Sequence, residues 1–177
     1  MPAEMIRPAQ SADVAAMQRV SAAAGRRFAE IDDPRVAACA DDPPPTADAL
    51  AAWIAAGRAW VAADGDNGGD AIVGFVVVDL LDGNAHVEEI SVLPEAGGRG
   101  LGTALLDAVG AYAQRAGHPA LTLTTFADVP WNRPWYERGG FVAMAPREIG
   151  PQLAARVRDE AEHGLDPAVR VCMRRPT

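Results

Sequence analysis

A strand-like run that passes through glycines directly into a helix is the first feature here able to do chemistry: Val92-Leu93-Pro94-Glu95-Ala96-Gly97-Gly98-Arg99-Gly100-Leu101-Gly102-Thr103-Ala104-Leu105-Leu106. Glycines let backbone N–H groups approach phosphate oxygens without a side-chain clash, and a helix N-terminus adds about half a positive charge aimed at them. Gly97, Gly98, Arg99, Gly100, Leu101, Gly102 and Thr103 therefore read as an anion cradle of a size to take a pyrophosphate. The bland alternative is a tight strand-to-helix turn that packs and binds nothing. Spacing rejects two nucleotide readings. Thr103 stands where the dinucleotide fingerprint needs its third glycine or alanine, and no Gly-Lys-Ser/Thr phosphate loop occurs. Arg99 and Leu101 likewise break the alternating glycines of a methyltransferase-like loop.

Titratable groups gather just upstream. His86, Glu88 and Glu89 share a strand-like run from His86 to Leu93. Strict alternation puts His86 and Glu88 on one face and Glu89 on the other, an assignment that a bulge would scramble. Either glutamate suits a general base, or both are solvated edge carboxylates. Downstream, Trp131 and Trp135 flank Asn132 and read first as packing residues. His118 and His163 sit beside Pro119 and Gly164 as turn or helix-end residues. No cluster has metal-ligand spacing, so no metal is expected.

The elements that must position these groups follow from periodicity. Ile6 to Pro8 reads as a first strand, and Ser11 as the cap of an alanine-rich helix with Val14, Met17 and Val20 at helical spacing. The acidic, proline-broken stretch from Arg26 to Pro45 reads as a mobile lid with a short helical piece. Thr46 is expected to cap a helix through Trp53 that stops at Gly57. Runs at Ala59 to Ala63, Ile72 to Leu81 and His86 to Leu93 predict an antiparallel meander, its first pair joined through the turn Asp64 to Asp70. A helix after the glycines ends near Gly117, followed by strand Leu121 to Phe126, a short helix at Asn132 to Arg138 and strand Phe141 to Ala145. A polar helix at Pro151 to His163 precedes a last strand, Val169 to Met173. The order is mixed α/β, mainly antiparallel, with one strand-helix-strand crossover.

Length and charge bound the rest. At 177 residues, 49% apolar and 23% charged, the chain is expected to form a single domain over residues 1–177. Lysine plus arginine total 16, all of them arginine, against 24 acids, and the net charge of −8 argues against nucleic acid and anionic membranes as partners and favours neutral or cationic ones. Cys39 and Cys172 are too isolated for a disulfide framework, and the N-terminus lacks a signal pattern, so a cytoplasmic location is expected. Association with a second copy of the chain stays open.

The segment Val92, Pro94, Gly98, Gly100, Gly102 resembles the signature of the GNAT superfamily of N-acyltransferases, with Gly97 where that family usually has arginine or glutamine. Asn132 followed by Tyr136-Glu137-Arg138-Gly139-Gly140-Phe141 is similar to the family's second block. The resemblance implies a mainly antiparallel sheet flanked by helices, with two central strands splayed apart around acetyl-CoA. It implies backbone contacts to the cofactor from Ile90, Ser91 and Val92 as well as the cradle, a further contact from Asn132, and Tyr136 as donor to the departing thiolate. It leaves Glu88 and Glu89 as equal candidates for the base. The implied activity is transfer of an acetyl group to an amine of a small molecule or peptide. A CoA-binding sensor that has lost turnover is the alternative. Glu30, Asp32, Asp33, Asp41, Asp42 and Asp48 in the lid segment favour a cationic acceptor, or else merely solvate a loop.

Overall fold

The computed structural model describes residues 6–65 and 71–177. β1 (Ile6–Pro8) and α1 (Val14–Gly25) open it, followed by α2 (Pro34–Ala37) and α3 (Ala47–Ala55) with 3-10 turns between them. β2 (Ala59–Asp64), β3 (Ala71–Leu81) and β4 (Asn84–Val92) form the expected antiparallel meander. α4 (Leu101–Ala116) crosses over to β5 (Ala120–Phe126). α5 (Arg133–Arg138), β6 (Val142–Ala143), α6 (Pro151–Glu162) and β7 (Arg170–Pro176) complete the chain. The described strands form one seven-stranded sheet in the order β1-β2-β3-β4-β5-β7-β6. Every neighbouring pair is antiparallel except β4 with β5. This is the mixed, mainly antiparallel α/β architecture that the element order predicts.

Alternation along β2 and β3 separates two layers of core. Trp60, Ala62, Val76 and Val78 pack with Leu105, Val109 and Leu123 on the α4 side, while Val61, Phe75 and Val77 meet Met17, Val20 and Leu50 from α1 and α3 on the other. Burying each such Val, Leu or Phe side chain contributes about 1.5–3 kcal/mol, enough to fix the register of both strands. A third cluster joins Val36, Phe126, Val129 and Val169, with Phe28 and Trp131 against it.

Local signals hold in several places. The Thr46 hydroxyl accepts from the Ala49 N–H at 3.2 Å, and Gly57 follows α3 at φ 67°. The cap expected at Ser11 is not formed: the helical turn starts at Gln10, whose N–H donates back to the Asp13 carboxylate at 2.7 Å, and Arg7 donates to the same carboxylate at 2.7 and 2.9 Å. Asp13 is only 6% exposed, so the charge needs those donors, and Arg7 beside it lowers its pKa. The strand expected at Phe141 to Ala145 shrinks to Val142–Ala143 because Phe141 turns inward, 1% exposed, its N–H closing the end of α5 onto the Tyr136 carbonyl at 3.1 Å. The Arg26 to Pro45 segment holds two 3-10 turns around α2. Most of the turn expected at Asp64 to Asp70 lies outside the described residues.

Candidate active site

Only two rungs join β4 to β5, Ala85 with Leu121 and His86 with Thr122. Beyond them the parallel strands have no further pairing, which is the splay that the sequence resemblance implies. Ile90, Ser91 and Val92 pair with Val76, Phe75 and Gly74 on the β3 side, and their other edge faces the gap.

A bulge sets which side chains border that gap. Val77 pairs with Glu89 but Val78 with Val87, leaving Glu88 as the extra residue. Ala85, Val87, Ile90 and Val92 stay on the α4 side of the sheet. Glu89 therefore shares the opposite side with His86 and Glu88, correcting the expectation from strict alternation. There Ser91 Oγ donates to Glu89 Oε1 at 2.8 Å. Burial pushes the Glu89 pKa up, opposed by hydrogen bonds from Ser21 of α1 and from Ser91.

On the α4 side the glycine loop has an open backbone. Gly98 and Gly100 are left-handed, at φ 75° and 78°, and nothing lies within 4 Å of where a Cβ would project. No side chain caps the first turn of α4, so its N–H groups remain available beside these glycines. Leu101 buries its side chain in the core, Thr103 is exposed, and Arg99 Nη2 donates to Asp64 Oδ1 at 3.0 Å, tying the loop to β2. A Cβ on Gly97 would meet the Pro94 carbonyl at 3.0 Å. Gly102 has a different reason to be glycine than close approach of a phosphate. A Cβ there would lie 2.9 Å from Trp135 Cζ2, so this glycine seats the indole on α4.

α5 completes this side. The Asn132 carbonyl accepts from the Trp135 and Tyr136 N–H groups at 2.9 and 3.0 Å, starting the helix, while Asn132 Nδ2 donates to Thr125 Oγ1 of β5 at 2.7 Å. Its Oδ1 is buried with no partner among the described residues. Tyr136 is 8% exposed, its ring held by Trp135 and Phe141 at centroid distances of 4.9 and 5.6 Å. Burial raises its pKa, Arg170 opposes this and Glu89 adds to it, so the phenol stays protonated at neutral pH.

The other side of the gap is built from charges. Arg156 of α6 binds Glu88 Oε2 and donates to Asp79 Oδ2 at 2.9 Å. Asp79 also accepts from Trp53 Nε1 at 2.7 Å. Burial pushes Glu88 up to about 7 against the pull of Arg156. His86, 1% exposed, shares a 3.0 Å hydrogen bond with Thr122 Oγ1, and burial with the nearby Arg156 charge lowers it to about 4. It is a neutral, buried histidine at the last rung. One helical turn beyond Arg156, Glu160 accepts from Thr124 Oγ1 at 2.8 Å and from Arg170 Nη2 at 3.2 Å. Helix α6 thus bridges the two halves of the sheet across the gap.

The family model for the acetyltransferase (GNAT) domain matches residues 55–143 of the 177. The chain belongs to the GNAT family. Rv2747 from Mycobacterium tuberculosis, solved with CoA, is similar at 19% identity with a TM-score of 0.66 over 97% of this chain and 98% of that one. PaiA N-acetyltransferase from Thermoplasma acidophilum, solved with coenzyme A, has 12% identity and a TM-score of 0.68 over the same shares, 97% and 98%. The ribosomal-protein-S18-alanine N-acetyltransferase from Escherichia coli has 17% identity and a TM-score of 0.62 over 97% and 92%. At these identities the likeness is one of fold.

This GNAT domain fits acetyl-CoA as its donor. The open left-handed glycines and uncapped α4 N-terminus suit a pyrophosphate, and the orphaned Asn132 Oδ1 suits an amide N–H of a pantetheine arm. The family match marks an acetyltransferase domain, and CoA is the ligand bound in two of the structures of the same fold. Among the described residues, no group of three or more His, Cys, Asp or Glu could hold a metal, and no helix is long and apolar enough to cross a membrane.

Sequence reasoning brought Tyr136, Asn132, the glycine loop and the glutamates to one place, but missed Arg156, Glu160 and Arg170. A signal existed. Leu153 is the one buried residue of α6, and Arg156 and Glu160 fall three and seven positions later, on the same helical stripe. Charges on a stripe marked by a buried leucine point inward. Of the lid acids, Asp33 is occupied as the cap of α2, accepting from the Arg35 N–H at 2.9 Å and pairing with its guanidinium at 2.6 Å, whereas Glu30, Asp32, Asp41, Asp42 and Asp48 are exposed.

Proposed function

We propose that this GNAT domain is an N-acetyltransferase for the primary amine of a small molecule, with Glu89 as base and Tyr136 as hydrogen-bond donor to the leaving group. The observation that carries it is the splay itself: pairing between β4 and β5 stops at His86 with Thr122, and just beyond lie Glu89 on one side and buried Tyr136 on the other. Acetyl-CoA supplies a thioester. The amine nitrogen forms a bond to its carbonyl carbon, the carbon–sulfur bond breaks, and the amine loses one proton.

An alkyl ammonium of pKa ~10.4 is neutral in about one molecule in ~2,500 at pH 7, an ionisation cost of about 4.6 kcal/mol. A carboxylate with a raised pKa is suited to take that proton. Glu88 is raised too, but Arg156 holds its carboxylate. Glu89 is held by two serine hydroxyls and senses Tyr136 across the gap, which supports it as the base. The unpaired edge at Ile90 to Val92 supplies backbone N–H groups for the thioester oxygen. With its pKa raised well above the ~8.5 of a thiol, Tyr136 keeps its proton and stabilises the departing thiolate by hydrogen bonding.

The test is release of free thiol from acetyl-CoA across a panel of primary amines, beside calorimetric titration with acetyl-CoA. Acetyl-CoA binding with turnover of one or more amines is expected. Binding without thiol release from any amine would favour a CoA-binding sensor.

A further inference from the structure

On the assumption that the gap performs this acetyl transfer, the geometry points to an acceptor amine that also carries a carboxylate, an α-amino acid or close analogue, with Arg170 as the residue that recognises the carboxylate.

Register locates Arg170. Counting from the last rung, Glu89 lies two β3 positions beyond His86 because Glu88 is bulged out, about 7 Å along β4, while Thr124 and Phe126 lie two and four residues beyond Thr122, about 7 and 13 Å along β5. Arg170 of β7 pairs with Phe126. Its guanidinium reaches back over the Phe126 ring, 4.9 Å from the centroid, to Thr124 Oγ1 at 3.2 Å. It stands on the α6 side of the sheet, because Glu160 of α6 binds it there. Glu88 and Glu89 stand on the same side across the gap, marked by their contacts with Arg156 and Ser21. An acid pair and a guanidinium thus face one cleft from opposite strands at about the same height.

The two arginines are not equivalent. Arg156 is bound to Glu88 and Asp79 at its two terminal nitrogens. Arg170 makes its hydrogen bonds to Thr124 and Glu160 through Nη2, and its Nε is buried with no acceptor among the described residues. A guanidinium has five N–H donors in a fixed fork, and a buried donor without a partner is costly unless something arrives to satisfy it. A carboxylate is the partner that fits such a fork. With the ammonium directed to the glutamates and the carboxylate to Arg170, one zwitterion satisfies both edges of the cleft.

The experiment compares matched acceptors: a panel of amino acids, each assayed beside its carboxamide, by thiol release from acetyl-CoA. The free acid is expected to exceed its amide ten- to hundredfold in kcat/KM, the range of a charge-assisted hydrogen bond. Replacing Arg170 alone would strand the buried Glu160 carboxylate, so the decisive variant is Arg170→Gln with Glu160→Gln, which removes the pair as a unit. In that variant the acid-to-amide ratio is expected to fall towards one, chiefly through KM for the acid. Arg170→Lys, which keeps the charge without the fork, should retain part of the preference. Amides turned over as fast as acids, or a ratio unchanged in the double variant, overturns the carboxylate assignment and leaves acetyl transfer standing. Absence of thiol release with every amine overturns both.

Discussion

The two sides of the β4–β5 gap are made from different materials. On the α4 side, backbone conformation and apolar packing do the work: left-handed Gly98 and Gly100, an uncapped helix N-terminus, and Tyr136 wedged between Trp135 and Phe141. On the α6 side, side-chain charges reach across long stretches of sequence, Arg156 to Glu88 and Asp79 at separations of 68 and 77 residues, and Glu160 to Thr124 at 36. A donor common to a whole family can be held by a backbone shape that tolerates sequence change. An acceptor peculiar to one protein needs particular charges in particular places.

The largest effect is expected on the backbone side. Gly100→Val places a β-branched residue at φ 78°, where L side chains rarely go, and fills the open cradle, so acetyl-CoA affinity is expected to fall more than 100-fold by calorimetry. Normal binding would move the cradle elsewhere.

Next come the carboxylates. Glu89→Gln is expected to lower kcat/KM about 100-fold near pH 7 and to remove the ascending limb of the pH–rate profile, whereas Glu88→Gln should keep that limb. The reverse pattern would make Glu88 the base. Tyr136→Phe should lower kcat by about 10- to 100-fold with acetyl-CoA affinity changed less than about twofold, since only a hydrogen bond to the leaving group is lost. An unchanged kcat would return Tyr136 to a packing role.

The smallest effect is on stability. Glu88 is raised from 4.5 to about 7, so its contribution is fully present below pH 4.5 and is lost as the pH rises through about 7. His86 is lowered from 6.5 to about 4, so its contribution is present above pH 6.5 and is lost as the pH falls towards 4. Glu88→Gln should therefore stabilise the fold relative to wild type increasingly between pH 5 and 8, by at most about 3 kcal/mol, read as a rise in melting temperature. Arg156 keeps Asp79 at 2.9 Å in that variant. A difference independent of pH would mean that the carboxyl is not held up by burial.

What the sequence determined by itself is local in character. Glycines in a strand-to-helix turn, the asparagine and tyrosine of the second block, the cap at Thr46 and the stop at Gly57 depend on neighbours within a few residues, so their spacing alone located the glycine turn, α5 and the family. Alternation likewise set the meander, because each strand must bury one face against α4 and the other against α1 and α3. Tertiary structure decided the rest. The bulge at Glu88 arises from how β4 pairs with β3, and it alone turned both glutamates to one side. Gly102 owes its identity to Trp135, 33 positions later, and the turn expected to start at Ser11 starts at Gln10, closed by an Asp13 carboxylate that Arg7 of β1 holds in place. Arg156, Glu160 and Arg170 read as an ordinary polar helix and strand until α6 lies across the gap. Charge patterns in a sequence say how much charge there is, whereas the cost of burying it, and hence its chemistry, depends on what folds over it.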